Sequence, residues 1–186
     1  MPGITLEDFR ASVQEVARPN RFLLQFLSLP FGLDFNNDMQ YHVRSASLPS
    51  RTIGDVSNLF WQGMNYKIAG DPVYDDYTIT FLNNIDFGAK ALVETWLDGM
   101  SASVSNVRTS PLEYKAVIRL DQLGPGNESN IIGTYFLHGA YPKSMDAVEL
   151  SHETTDAVEE FTSAFSVDYW SSSVAPDQGT GIVSLP

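Results

Sequence analysis

The sequence predicts a mainly β fold, an antiparallel β-sandwich or barrel with one flanking α-helix and a short N-terminal helix. Three observations carry this expectation. Apolar and polar residues alternate at period two through most of residues 21–82 and again through residues 113–170, the mark of strands with one covered face. Only one long segment, Asp86–Met100, keeps a helical period. Short breaks bearing Gly, Pro and Asn separate the alternating runs, and no internal repeat is present.

Taken in order, Thr5–Val16 reads as a short amphipathic helix, with Leu6, Phe9, Val13 and Val16 on one side. Thr5 with Asp8 resembles a capping-box start, and Arg18-Pro19 ends the helix because the residue before proline avoids the α region. Arg21–Leu27 is apolar enough for a strand covered on both faces. Gln40–Ala46 is a second strand, and Leu48–Asn58 is a stretch containing Pro, Gly and Asn. Phe60–Ala69 and Tyr74–Leu82 both alternate; in the latter Tyr77, Ile79 and Phe81 share one face, opposite Asp76, Thr78 and Thr80. Along Asp86–Met100 the residues Ala89, Leu92, Val93, Trp96, Leu97 and Met100 form one apolar stripe, with Asp86 as its expected N-cap. After a polar loop at Ser101–Pro111 come strands at Glu113–Leu120, Ile131–Tyr141, Ser144–Leu150 and Phe161–Trp170, with a turn at Gly124–Asn127. On the last strand Thr162, Ala164, Ser166 and Asp168 alternate with Phe161, Ser163, Phe165, Val167 and Tyr169. The expected organisation is one domain over residues 1–170, with residues 1–17 as a helical arm and residues 171–186 as a flexible extension.

Composition narrows the function. A chain of 186 residues, 43% hydrophobic and with 11 Phe, 8 Tyr and 3 Trp, has ample material for a core, which excludes disorder of the whole chain. Eleven Lys and Arg face 23 Asp and Glu, a formal charge of -12, so binding nucleic acid by neutralising phosphates is excluded. Residues 144–186 hold eight of those acids and no Lys or Arg; the plainer reading is solubility, and the sharper one is a one-signed surface that keeps a polyanion from sticking. The absence of cysteine removes disulfides, zinc–thiolate sites and thiol chemistry. No run approaches the ~20 apolar residues of a membrane span, and the first residues lack the basic-then-apolar order of a secretory signal. The expectation is a soluble protein made in a cytoplasm.

Catalytic patterns are missing. His152-Glu153-Thr154-Thr155-Asp156 carries Asp where a zinc-protease motif needs its second histidine. His42, His138 and His152 are too scattered to suggest a ligand set. Asp75-Asp76 and Glu159-Glu160 could supply paired carboxylates, but their plainer reading is acidic surface. No catalytic residue, cofactor or metal is expected. A sugar- or small-ligand-binding sandwich remains a competing reading, with Trp61, Trp170 or Tyr135 lining a pocket.

Several stretches together resemble the tail tube proteins of contractile-tailed bacteriophages. They are Arg18-Pro19-Asn20 leading into the first strand, then Ala69-Gly70-Asp71 running into Tyr74-Asp75-Asp76-Tyr77-Thr78. Trp96, Glu113-Tyr114-Lys115, Gly139-Ala140-Tyr141-Pro142 and the closing Asp168-Tyr169-Trp170 complete the set in the family's order. The resemblance implies six subunits closing into a ring, rings stacking into a hollow inner tube, and a virion protein assembled in the host cytoplasm. It further implies tail sheath, baseplate, tail terminator and tape measure proteins as partners, with DNA passing through the lumen without specific binding. The inner tube of a phage-derived injection device is the nearest alternative. Asp76, Thr78 and Thr80, with Thr162, Ser166 and Asp168 as a second set, are the candidates for lumen or subunit-interface faces.

Overall fold

The structure, a computed structural model, describes residues 6–13, 16–35, 39–54, 57–102, 105, 107–126, 130–148, 150–153 and 157–174. Its first half runs α1 (Leu6–Ser12), β1 (Phe22–Ser28), a 3-10 turn at Met39–His42, then β2 (Val43–Ala46) and β3 (Arg51–Ile53). There follow β4 (Ser57–Trp61), β5 (Met64–Ile68), β6 (Pro72–Tyr74) and β7 (Tyr77–Leu82). The second half holds α2 (Gly88–Met100), the single turn α3 (Pro111–Tyr114), β8 (Ala116–Leu123), β9 (Ile131–Met145), β10 (Glu160–Ser166) and β11 (Tyr169–Ser172).

The order β1-β8-β9-β10-β7-β2 is hydrogen-bonded throughout, with β11 added on β9, and every pairing is antiparallel. β9 is the hinge of the architecture. Its first ten residues lie between β8 and β11, and its last five pair with β10, so one strand belongs to two layers. Alternation then decides what each layer buries. Leu24, Phe26, Ile118, Leu120 and Leu137 point inward from one layer, and Tyr77, Ile79, Phe81, Phe161 and Phe165 from the other. The stripe of α2 closes the core: Ala89, Leu92, Val93 and Trp96 are buried, and the Trp96 ring meets Phe26 and Phe165 at 6.1 Å each. The Trp96 indole N–H donates to the carbonyl of Tyr114 at 2.8 Å, so the one polar atom of a fully buried ring is satisfied. A mainly β, antiparallel fold with a flanking helix is therefore what the chain adopts.

Local corrections are instructive. Phe60–Ala69 is not one strand. β4 and β5 are two limbs of a hairpin around Gln62-Gly63, whose φ values of 46° and 85° are the paired left-handed conformations of a tight hairpin turn. Arg21–Leu27 is covered on one face only, because Leu27 is 52% exposed beside buried Leu24 and Phe26. Asp86 does not cap α2: the cap position is Phe87, with φ 49° and no side-chain cap bond. Glu113 and Tyr114 belong to α3, and the strand begins at Ala116. Of the expected strand Ser144–Leu150 only Ser144 and Met145 are strand, as the end of β9, which passes through Pro142 at a bulge opposite β10, where a missing ladder donor is tolerated; residue 149 lies outside the described residues. Phe161–Trp170 breaks at Val167-Asp168, so Tyr169 leaves the alternating set of β10 and starts β11 on the other layer. Residues 171 and 172 pair with Phe136 and Tyr135, while the rest of the expected extension from 175 onward lies outside the described residues. The Thr5 capping start lies outside them too. The apolar side of α1 faces away from the core, with Leu6 and Phe9 both exposed.

The bend between β10 and β11 has a specific cause. Gly139 sits at φ 67°, and a Cβ there would overlap the Asp168 carboxylate. That carboxylate accepts two hydrogen bonds from the Lys115 ammonium at 2.6 and 2.8 Å, and the Asp168 N–H donates to the His138 carbonyl at 3.0 Å. Gly139→Ala must therefore strain the backbone and displace an ion pair together. We expect a loss of about 2 kcal/mol, read as a thermal midpoint roughly 4–8 °C lower in a calorimetric scan.

Candidate functional site

The two sets of non-core residues proposed from alternation meet on one surface. β7 and β10 are paired with Thr80 opposite Thr162 and Thr78 opposite Ala164, and the two threonine hydroxyls approach to 3.4 Å. Ser45 of β2 stands opposite Thr80, and Ser144 of β9 opposite Ala164. With Ser166 two residues farther along β10, the result is a slab of small hydroxyl side chains on the outward face of one layer. Asp76 and Asp168 are not on these strands. Asp76 lies between β6 and β7, Asp168 lies in the bend, and both are exposed.

Both acids hold a cation. Asp76 accepts from the Lys143 ammonium at 2.6 Å, and Asp168 accepts from Lys115. The hydrogen bond and charge of Asp76 raise the pKa of Lys143, so its cation is retained. A third pair, Arg44 with Glu160, borders the slab on β2 and β10. Lys143 and Arg44 at its margins, and Lys115 at the bend, are thus each matched by a carboxylate. Loose phosphate binding by these three is suppressed, since their nearest anion is already supplied.

The other layer's outward face is more tightly knit. Asp121, only 4% exposed, accepts from Arg119 Nε at 2.9 Å and from the Thr134 hydroxyl at 2.6 Å, which offsets the desolvation of its charge. His138 stacks on Tyr169 at 4.6 Å and sits 3.1 Å from the Ser171 hydroxyl; partial burial lowers its pKa below the ordinary imidazole value.

The feature that the sequence reading missed is an arm. β3 and β6 pair as a two-stranded stalk, with Arg51 opposite Tyr74 and Ile53 opposite Pro72. The stalk carries the β4–β5 hairpin at its tip, where Leu59 faces Tyr66, Trp61 faces Met64 and Ser57 faces Ile68. Opposed residues share a face, so one side of the tip is almost wholly apolar and the other shows Asn58, Phe60, Asn65 and Lys67. Every residue of both limbs is exposed, Trp61 at 74% and Met64 at 75%. A two-stranded hairpin is marginal by itself, and an apolar face of this kind marks a contact surface. The available signal was an apolar alternation that shifts by one residue across Gln62-Gly63, with Leu59 and Trp61 before it and Met64, Tyr66 and Ile68 after it, as a two-residue hairpin turn requires and a single strand does not.

The positions that resemble the tail tube family fall into places in this frame. Gly70, Asp71, Asp75 and Asp76 form the returning side of the arm and its root, with Asp71 accepting the Gly54 N–H at 2.8 Å. Pro142, Tyr141, Tyr169 and Trp170 lie along the β9 edge where the layers exchange. Trp96 is core. Arg18, Pro19 and Asn20 precede β1 and are exposed; with Arg21 and Leu48, Pro19 borders a cavity of about 260 Å³ between the β1 and β2 edges. Asp75 and Asp76 are both exposed and engaged with Ser50 and Lys143 respectively, an arrangement unlike a catalytic pair in a cleft. Among the described residues no group of His, Asp and Glu could hold a metal ion, and no helix is long and apolar enough to cross a membrane. Residues 154–156 of the His152 motif lie outside the described residues.

Comparison with known proteins agrees with this geometry. The chain is 26% identical over 164 residues to the tail tube protein of Serratia phage KSP90, covering 85% of this chain and 91% of that one. It is 25% identical over 160 residues to tail tube protein gp19 of Enterobacteria phage T4, covering 84% and 91%. Among solved structures it resembles a chain of the anti-feeding prophage baseplate, with TM-score 0.59, 16% identity, and coverage of 84% and 95%. It also resembles a chain of the sheath–tube complex of the extracellular contractile injection system PVC, with TM-score 0.58, 15% identity, and coverage of 90% and 98%. At these identities the structural likeness concerns the fold. A family model described as phage tail tube protein matches residues 13–173, from the end of the N-terminal helix to just past β11, and the chain belongs to that family.

Proposed function

We propose that the chain is a non-enzymatic structural subunit that closes into six-membered rings, and that these rings stack into the inner tube of a contractile tail. The observation that carries this reading is the arm: an exposed apolar hairpin face that the described residues of its own chain leave uncovered, on a protein of the tail tube family. Contacts around a ring close on themselves, whereas axial contacts propagate a filament; a projecting tip suits the second. The hydroxyl slab with its matched ion pairs, bearing Thr78, Thr80, Thr162 and Ser166, suits a wall along which DNA slides without releasing counterions. Asp76 and Asp168 then act by neutralising lysines.

On this reading the partners are further copies of the chain, the tail sheath, the baseplate, the tail terminator and the tape measure protein, and assembly occurs in the host cytoplasm. Residues 1–170 serve as the one tube domain. The likeness of the fold to a chain of the PVC sheath–tube complex favours one second reading, the inner tube of an injection device that carries no DNA. The phage tail tube relatives support the first. Negative-stain electron microscopy over a concentration series, beside mass by light scattering, tests the proposal. Hollow sixfold rings or tubes are expected, and a monomer at every concentration, with or without added baseplate, would refute it.

A further inference from the structure

The arm is long, exposed and without a core of its own, which raises the question of what fixes its direction. All three residues of β3 are exposed, and in β6 only Tyr74 is partly covered. At the root, however, the stalk is gripped from the last strand. The Trp170 indole N–H donates to the Ser50 carbonyl at 3.0 Å, and the Arg51 guanidinium lies over the same ring, 5.7 Å from its centroid. Tyr135 packs against that ring at 6.0 Å. Ser50 in turn donates its hydroxyl to Asp75 at 3.2 Å, which ties the outgoing side of the arm to the returning side. Tyr77 adds a bond from its phenol to the Ser47 carbonyl at 2.6 Å; burial raises the phenol pKa, so it stays a donor at any working pH. The remaining space at this joint is a cavity of about 30 Å³, room for roughly one water.

We propose that Trp170 is a positioning residue: it latches the arm root to β11 and so sets the angle at which the tip is presented to the next copy of the chain. The inference rests on the tube-stacking reading above and deepens it. Its consequence is unusual in placement. The arm is inserted between β2 and β7, yet its orientation is governed by a four-residue strand at the other end of the sequence. β11 is held through its pairing with β9, so the arm is rigid only while that short strand is seated. Two contacts on one ring give the latch two separable parts. The N–H bond fixes the root's height, and the face under Arg51 fixes its rotation.

Hydrogen exchange read by mass spectrometry on the full chain, beside electron microscopy of assembly, tests this with Trp170→Ala and Trp170→Phe. In Trp170→Ala the amides of residues 51–54, 73 and 74, including the Gly54 N–H, should exchange at least about tenfold faster. Peptides across β7 and β8 should keep parental protection, and tubes should be lost or much shortened. Trp170→Phe keeps a ring for Arg51 and removes the N–H; it should speed stalk exchange by a smaller factor and shorten tubes partially. If Trp170→Ala also loosens β7 and β8, the Phe variant decides, since its core is undisturbed. Unchanged stalk exchange in the deciding variant overturns the latch, as does faster exchange with tubes of parental length. Failure of the stacking reading itself looks different: the parent chain forms no tubes, and tip substitutions change nothing.

Discussion

A chain carrying Trp61→Ser and Met64→Ser together is expected to fold as the parent does and to stop at single rings. The two side chains face each other across the hairpin tip and are about three-quarters exposed, so their removal costs the isolated subunit no more than about 0.5 kcal/mol. If the tip docks on a neighbouring copy, each side chain contributes roughly 1.5–3 kcal/mol of burial there. In the proposed six-membered ring six copies of that contact would act at each joint, so a loss of even ~2 kcal/mol per subunit would become ~12 kcal/mol per joint, enough to abolish elongation. The measurements are a calorimetric midpoint, expected within about 2 °C of the parent, and tube length by electron microscopy. Parental tubes from the double variant would remove the arm from the stacking interface.

The opposite pattern is expected at Trp96. This ring is fully buried between α2, Phe26 and Phe165, and its N–H is the partner of the Tyr114 carbonyl. Trp96→Ala should cost about 3–5 kcal/mol through the cavity left behind, with the orphaned carbonyl adding to it. For a chain of this size the midpoint should fall on the order of 10 °C. Trp96→Phe keeps most of the packing and forfeits the hydrogen bond, so a loss of about 1–2 kcal/mol is expected. Chemical denaturation with linear extrapolation separates the two variants. An alanine variant within 1 kcal/mol of the parent would mean that α2 is not an integral wall of the core. Assembly at low temperature should survive in the Phe variant, which sets this residue apart from the tip.

What the sequence made legible is what burial dictates. The stripe around Trp96 and the alternation of Tyr77, Ile79 and Phe81 were readable because each period matches one face turned to one core. The hydroxyl residues Thr78, Thr80, Thr162 and Ser166 were readable as non-core, but nothing in a linear pattern says that β7 and β10 are neighbours. The arm was lost for a physical reason: its alternation reports an apolar face, and the usual inference that such a face meets its own core fails for a projecting hairpin. β9 was read as two strands because Pro142 ordinarily ends one, whereas here it sits at the bulge where β10 shifts register. The bend at Asp168 was hidden for a similar reason, since Phe161–Trp170 alternates cleanly until Gly139 and Lys115 are brought beside it in space.

The fifteen-residue strand β9 has a mechanical meaning as well. A sandwich made of two separately connected layers can yield by letting them slide over each other, since only side-chain packing resists. Here one covalent backbone is stitched into both layers, with β8 and β11 along its first part and β10 along its last. Any shear between the layers must therefore stretch that backbone or break several of its hydrogen bonds at once. Load entering one layer is carried into the other along that backbone, as along a tie rod, so the subunit meets a deforming force as one piece.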